Sequence, residues 1–365
     1  MGLGRKKDFR DEFGGKNSNM SLVYVLIALT VVAVALVVLL VLFMNGTLGG
    51  DVEATSTPTH VITTPTHVIT TPSPDATTPA PSPTPGLLDG EMIQITEPIT
   101  VPQLPAGAAP SFAMGTGSNL GSVIIENSMV YKGDLLLVTG GMPEGFAPSK
   151  IVNVYNESRL NMSYPINVST TTVSMEKRAL SALAAMLEKA KESGNEKYFV
   201  NAGYDEAAED LDYRTGLGFD MGFNRLEGQE GKFSELPQGQ WLIQNCYQYG
   251  FVQRYTSDKS SITGMSADST HYRYVGFPHS VLMQQKNYCL EEYVSYVRST
   301  KYIQVKSGDT MTHEIMYFYA NPDAADGKTV CKLSEAAFEA YSQGTAKITV
   351  SGDNFGGFIV TVIYG

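Results

Sequence analysis

Hydrophobic and polar positions divide this chain into three stretches of different character. Residues 21–44 are an unbroken Val/Leu-rich run without a single charge. Residues 57–85 show no period, only repeated Thr, Pro, Ser and Ala. From about residue 91 the pattern is that of a packed domain, with short apolar runs separated by Gly-rich turns. The runs at 122–125 and 134–138 predict strands. The clearest helix is predicted within 171–194, where Leu180, Leu183, Leu187 and Ala190 recur at helical spacing. Lys189 and Lys191 suit its last turns, and Gly194 is a natural stop. Buried strands are predicted to start at 198–200 and 241–243, and a helix at 290–297 with Glu291 and Glu292 near its N-terminus. Beyond residue 302 the pattern turns to β, at 302–305, 313–319, 347–350 and 358–364, with a helical 333–341 between. The expectation is a mixed α+β domain with a β-rich tail.

The apolar run is 24 residues long. At about 1.5 Å per residue it spans ~36 Å, against a bilayer core of about 30 Å. It exceeds the apolar region of about 7–15 residues usual in a cleaved signal peptide. Arg5, Lys6, Lys7, Arg10 and Lys16 precede it, and only Asp51 and Glu53 follow closely. The positive-inside rule then predicts a single-pass signal anchor with a cytoplasmic N-terminus and everything else outside. In the next stretch, Thr-Pro-Thr-His-Val-Ile-Thr at 57–63 is repeated at 64–70. So much proline excludes helix and sheet ladders and favours extended polyproline II. At ~3.1 Å per residue, roughly 40 such residues reach on the order of 120 Å. His60 and His67 belong to this stalk and have no other ligand beside them.

Charge narrows the functional classes. The net charge is −11, and residues 1–20 carry five Lys/Arg against three Asp/Glu, so the remainder is near −13. An acidic exterior without a basic cluster argues against nucleic acid as a partner. Cys246, Cys289 and Cys331 are the three cysteines. They are odd in number and lack a CxxC pair, so they form no zinc ribbon or disulfide scaffold, although one pair could bridge.

Four segments carry candidate chemistry. They are Val200-Asn-Ala-Gly-Tyr-Asp205, Tyr213-Arg-Thr-Gly-Leu-Gly-Phe-Asp220, Trp241-Leu-Ile-Gln-Asn-Cys-Tyr-Gln-Tyr-Gly-Phe251 with Arg254-Tyr255, and Asp268-Ser-Thr-His-Tyr-Arg-Tyr-Val-Gly276. Their order and wording resemble the VanY-type zinc D-alanyl-D-alanine carboxypeptidases, LAS metallopeptidases that trim D-Ala from peptidoglycan stem peptides. The resemblance runs from about residue 133 to about 297. It implies a LAS-type (hedgehog/D-Ala-D-Ala peptidase-like) domain, with an antiparallel sheet and flanking helices. In that family two His and an Asp hold zinc, a Glu three residues before the last His is the base, and an Arg binds the substrate carboxylate. Three ligands leave the fourth zinc position to a water, whose pKa falls so that the base can take its proton.

Carried over position by position, the resemblance assigns Asp220 and His271 to the metal and puts Tyr213 where the family's first His stands. The base position is Asp268. The substrate-binding positions are Tyr204 and Asp205, the latter where the Arg would be, with Arg214, Arg254 and Arg273 as candidate replacements; Arg273 is nearest the site, but its place in the family wording suggests packing or ion pairing. A phenol with pKa about 10 must lose a proton before it competes with imidazole for zinc. Shortening Glu to Asp withdraws the base, and about 1 Å of misplacement costs ~10²-fold. Asp for Arg forfeits a charge-assisted pair of about 1.5–3 kcal/mol. Zinc is therefore expected to be held weakly or not at all, unless Asp210 or Asp212 joins Asp220 and His271 in a rebuilt site. His279 reads as a surface or capping residue, and His313 as structural.

The expected organisation is a cytoplasmic tail (1–20), a transmembrane helix (21–44), a Thr/Pro-rich linker (45–90), a β-rich lead-in (91–132), a VanY-like domain (133–298) and a β-rich C-terminal extension (299–365). The leading functional expectation is a catalytically degenerate member at the bacterial cell membrane, facing the cell wall and binding peptidoglycan stem peptide or a protein partner. The alternatives are an active zinc D,D-carboxypeptidase with a substituted ligand set, and a structural envelope protein.

Overall fold

A computed structural model of the chain describes residues 90–95, 112–144, 146–225 and 227–365. The expected tail, membrane helix and nearly all of the linker lie outside the described residues. Among those described, no helix is long and apolar enough to cross a membrane.

The chain order begins with β1 (Glu91–Gln94), β2 (Phe112–Met114), β3 (Ser122–Glu126), β4 (Ile151–Asn153), α1 (Val154–Asn161), β5 (Asn167–Val168) and β6 (Ser174–Glu176). It continues through α2 (Lys177–Glu192), β7 (Tyr198–Ala202), α3 (Leu211–Arg214), β8 (Gly218–Phe223), α4 (Pro237–Asn245), β9 (Phe251–Tyr255), α5 (Ser260–Thr263) and β10 (Asp268–Tyr274). The last elements are α6 (His279–Lys286), α7 (Leu290–Thr300), β11 (Tyr302–Ser307), β12 (Thr310–Tyr319), β13 (Lys328–Lys332), α8 (Glu335–Ser342), β14 (Ala346–Gly352) and β15 (Gly357–Tyr364).

The central sheet has the order β5-β7-β8-β10-β9 and is antiparallel except for the β5·β7 pair. Helix α2 covers one face of it. Glu176 caps the helix, its carboxylate accepting from the N–H groups of Arg178 and Ala179. Gly194 ends the helix just past its last turn, at a φ of 79° that suits glycine. Leu180, Leu183, Leu187 and Ala190 are buried against Val200, Phe219, Met221, Tyr272 and Tyr274. Each such leucine contributes about 1.5–3 kcal/mol by leaving water. Strand alternation turns Asp220 and His271 to the face opposite Phe219 and Tyr272.

The segments expected as lead-in and extension pair with each other. Strand β1 lies parallel to β11 at the edge of a second sheet, β1-β11-β12-β15-β14, and β3 is sandwiched between β13 and β2 in a small third sheet. Val123 and Ile125 pack with Cys331, Phe358 and Val360 in one core. A further core joins this β assembly to α6 and α7, with Val281, Leu282 and Tyr293 against Ile303, Ile315 and Leu135.

Several expected elements differ. Residues 134–138 join no ladder. Their polar groups are met instead by side chains: Ser351 Oγ accepts from the Leu135 N–H, and Arg273 donates to the Asp134 and Leu136 carbonyls. Residues 241–243 are the middle of α4, opened by Pro237 in its first turn. An apolar run this short does not distinguish helix from strand. All three cysteines are free and buried, so no pair bridges.

Candidate functional site

Three backbone features bring the site together. Strands β8 and β10 pair with His271 directly opposite Asp220, so both side chains leave the sheet on one face. A register shift between β10 and β9, falling between Asp268 and Tyr272, releases His271 from the β9 ladder. Asp210 caps α3 by accepting from the Asp212 N–H at 2.9 Å, and this short helix lies over β8. Gly218 permits that approach: a Cβ there would stand 2.9 Å from the Asp212 carbonyl carbon.

The result is a closed polar ring. The Tyr213 hydroxyl donates to Asp220 Oδ1 at 2.8 Å. His271 Nδ1 lies 2.9 Å from the same oxygen and 3.2 Å from the Tyr213 hydroxyl. On its other side His271 Nε2 meets Asp212 Oδ2 at 3.1 Å. The Tyr255 ring stacks on the imidazole, with centroids 5.0 Å apart, and its hydroxyl donates to Asp210 at 3.0 Å. Behind the ring, Arg273 donates to Asp212 Oδ1, and Arg254 donates twice to Glu291, at 3.0 and 2.7 Å. Burial pushes the Asp212 carboxyl up, but the Arg273 guanidinium, the His271 bond and Arg254 outweigh it and hold the group well below the usual carboxylate range. Burial pulls His271 down, yet its bonds to Asp212 and Asp220 raise it to about 9. For Tyr213, burial and then the bond to Asp220 push the phenol up.

These donors do not make up a three-ligand zinc site. Two features of one remain, since Asp220 and His271 Nδ1 converge and Asp212 holds the opposite nitrogen as an outer partner of a ligand histidine would. The third position, however, is a phenol that keeps its proton and spends it on Asp220. Asp212 and Asp210 do not rebuild the set. Asp212 faces Nε2, the far side of the imidazole, and is bound to Arg273, while Asp210 holds Tyr255 and the start of α3.

The other assigned positions fall around this ring. Asp268, at the base position, turns Oδ1 onto its own neighbour and accepts from the Thr270 N–H and hydroxyl at 2.8 and 2.7 Å. Tyr204 is half-buried, its N–H donating to the Ser174 carbonyl. Asp205 is exposed and caps a turn by accepting from the Ala207 N–H. Arg273 is corrected: it is 0% exposed, with its guanidinium divided between Asp212 and the 134 and 136 carbonyls, so it cannot meet a substrate. His279 is corrected as well. It is buried between Tyr293 and Thr361, holding α6 to β15 rather than lying at the surface. Tyr255 is the platform under His271, and its place in the Arg-Tyr pair that ends β9 is the one sequence signal for that role.

A family model described as VanY, D-alanyl-D-alanine carboxypeptidase, matches residues 208–277, which span α3, β8 and β10. A D-alanyl-D-alanine carboxypeptidase of Enterococcus faecium is 29% identical over 270 residues, covering 69% of this chain and 82% of that protein. The bifunctional D-Ala-D-Ala dipeptidase and D-Ala-D-Ala carboxypeptidase VanXYC of Enterococcus gallinarum is 35% identical over 92 residues, covering 24% of this chain and 48% of that protein. Among solved structures, the vancomycin resistance D,D-dipeptidase VanXYg, in complex with a D-Ala-D-Ala phosphinate analog, is similar with a TM-score of 0.52 and 24% identity. It covers 66% of this chain and 98% of that one, which establishes a shared fold.

Proposed function

We propose, from the premise that this chain belongs to the VanY-type D-alanyl-D-alanine carboxypeptidase family, that it binds peptidoglycan stem peptides ending in D-Ala with little or no hydrolysis. Zinc is the family's expected cofactor and would fall on Asp220 and His271, where it would supply an activated water. The observation that carries the degenerate reading is the Tyr213 hydroxyl, which stands at the third ligand position and donates to Asp220 at 2.8 Å. With that oxygen protonated, no three-ligand set exists to generate the nucleophile. Asp268 at the base position is engaged by Thr270, and Asp205 repels rather than attracts a peptide carboxylate.

The apolar segment 21–44 and the Thr/Pro stalk support a place outside a bacterial cytoplasmic membrane, tethered and facing the cell wall. A working zinc carboxypeptidase is the second reading. It is favoured by the geometry of His271, whose Nδ1 still points at Asp220 while Asp212 fixes Nε2.

The test uses the full-length chain in detergent, incubated with excess zinc and a diacetylated Lys-D-Ala-D-Ala peptide. Saturable binding with no D-Ala release is expected. Metal-dependent release of D-Ala overturns the degenerate reading in favour of the second. Absence of both binding and release removes the peptide as ligand.

A further inference from the structure

Beside the ring, the central sheet comes apart. Strand β10 pairs with β8 only at 218–220, so Met221, Gly222 and Phe223 continue along β7 with no strand partner on the β10 side among the described residues. A hollow of about 280 Å³ lies at this split, lined by Phe199, Asn201, Phe223, Arg225, Phe233 and Thr270. Its walls begin one residue beyond Asp220 and one residue before His271. The volume is near the lower end of ligand pockets, suited to the end of a small ligand rather than a whole stem peptide.

The chemistry of the walls is specific. Arg225 is exposed and its Nη2 donates to the Gly231 carbonyl at 2.7 Å. Its remaining donors have no partner among the described residues. Asn201 falls at a register shift in β7, between Val200 and Ala202, and a bulge of this kind re-aims a side chain. It is exposed. Gly222 lets the Phe199 ring lie against the strand, because a Cβ there would stand 2.5 Å from the ring. Phe223 and Phe233 pack with ring centroids 5.1 Å apart. A guanidinium, an amide and three phenylalanine rings thus line one hollow, next to an unpaired strand edge.

We infer that this hollow binds the C-terminal end of a short extended peptide, with Arg225 taking its carboxylate in place of the arginine lost at Asp205. The inference rests on the peptide-binding reading above and adds where the carboxylate goes. An extended ligand can pair along the free edge of β8, as in strand addition. The guanidinium offers the forked donors that match a carboxylate. Small side chains such as the methyl of Ala fit against the phenylalanines.

The experiment compares the diacetylated Lys-D-Ala-D-Ala acid with its C-terminal amide, both titrated calorimetrically into the full-length chain. The acid should bind about 10-fold tighter or more, the range of a charge-assisted pair. Arg225→Ala should abolish the difference and Arg225→Lys should keep part of it, while Lys347→Ala, at an exposed position on β14, should leave it intact. A thermal midpoint for each variant confirms that it is folded. Equal binding of acid and amide by the unaltered chain, or a preference that survives Arg225→Ala, overturns the inference and leaves the peptide-binding reading standing. Failure of both peptides to bind overturns both.

Discussion

Replacing Asp212 with Asn tests whether the ring is held by charge rather than by shape. The substitution keeps the volume and one carbonyl oxygen but removes the charge. Asp212 is 5% exposed and is the acceptor shared by Arg273, itself 0% exposed, and His271. The Arg254 Nε lies 3.9 Å from the same carboxylate. Arg254 retains Glu291, but Arg273 would be left with only the neutral carbonyls of residues 134, 136 and 274. Removing one partner of a buried ion pair typically costs 3–5 kcal/mol, because the other charge stays buried. For a domain of this size that corresponds to a fall of roughly 6–20 °C in Tm. Trp241 is the only tryptophan and packs against the core beneath the sheet, so urea unfolding followed by its fluorescence reports this region. Asp205→Asn, at an exposed turn, is the control and should change stability by less than ~0.5 kcal/mol. A loss below about 1 kcal/mol for Asp212→Asn would refute the view that charge organises the ring.

Other consequences are independent of the ring. His313 is 3% exposed, and neither ring nitrogen has a hydrogen-bond partner among the described residues. Burial pulls its pKa down to about 4, from an unfolded value near 6.5. The unfolded chain therefore gains the proton first, so this contribution to stability is present above ~6.5 and is lost as pH falls from there toward about 4. Between pH 7 and 5 the loss is roughly 2 kcal/mol. His313→Phe should remove that part of the acid slope in urea midpoints measured at the two pH values, and an unchanged slope would show that His313 is not buried neutral. At Gly352 a Cβ would run into the backbone carbonyls of Met129 and Val130. Gly352→Ala should cost about 1–3 kcal/mol if residues 91–132 and 299–365 form one β assembly. A neutral result in thermal denaturation would separate the two segments.

What the sequence disclosed follows from the range of the interactions involved. Helix α2 was legible because Leu180, Leu183, Leu187 and Ala190 declare its buried face locally. Four of the five strands of the β tail were legible for the same reason, through β-prone runs between turn residues, whereas β13 was not, because Lys328, Val330 and Lys332 alternate with only two buried positions. The parallel pairing of β1 with β11 was not, since it joins segments some 200 residues apart and leaves no local signature. The 134–138 run reads as a strand from its apolar residues, yet its backbone groups are satisfied by Arg273 and Ser351. At the site, the Asp220–His271 pair followed from motif wording, and the structure places the two side by side. The direction of Asp212 did not. One carboxylate two residues after Asp210 could have faced either imidazole nitrogen, and only the turn of α3 over Gly218 decides that it meets Nε2. Arg273 misled for a related reason: proximity to His271 in sequence places it two residues along a strand, hence on the same face, but deeper in the core.

The most direct test of the account is zinc stoichiometry. The full-length chain and Tyr213→His are each equilibrated with excess zinc, freed of unbound metal and assayed for zinc per chain. Well below one zinc is expected in the unaltered chain and a clear gain toward one in Tyr213→His, where an imidazole replaces the protonated phenol beside Asp220 and His271. One tightly held zinc per unaltered chain, lost when Tyr213 becomes Phe, would contradict it.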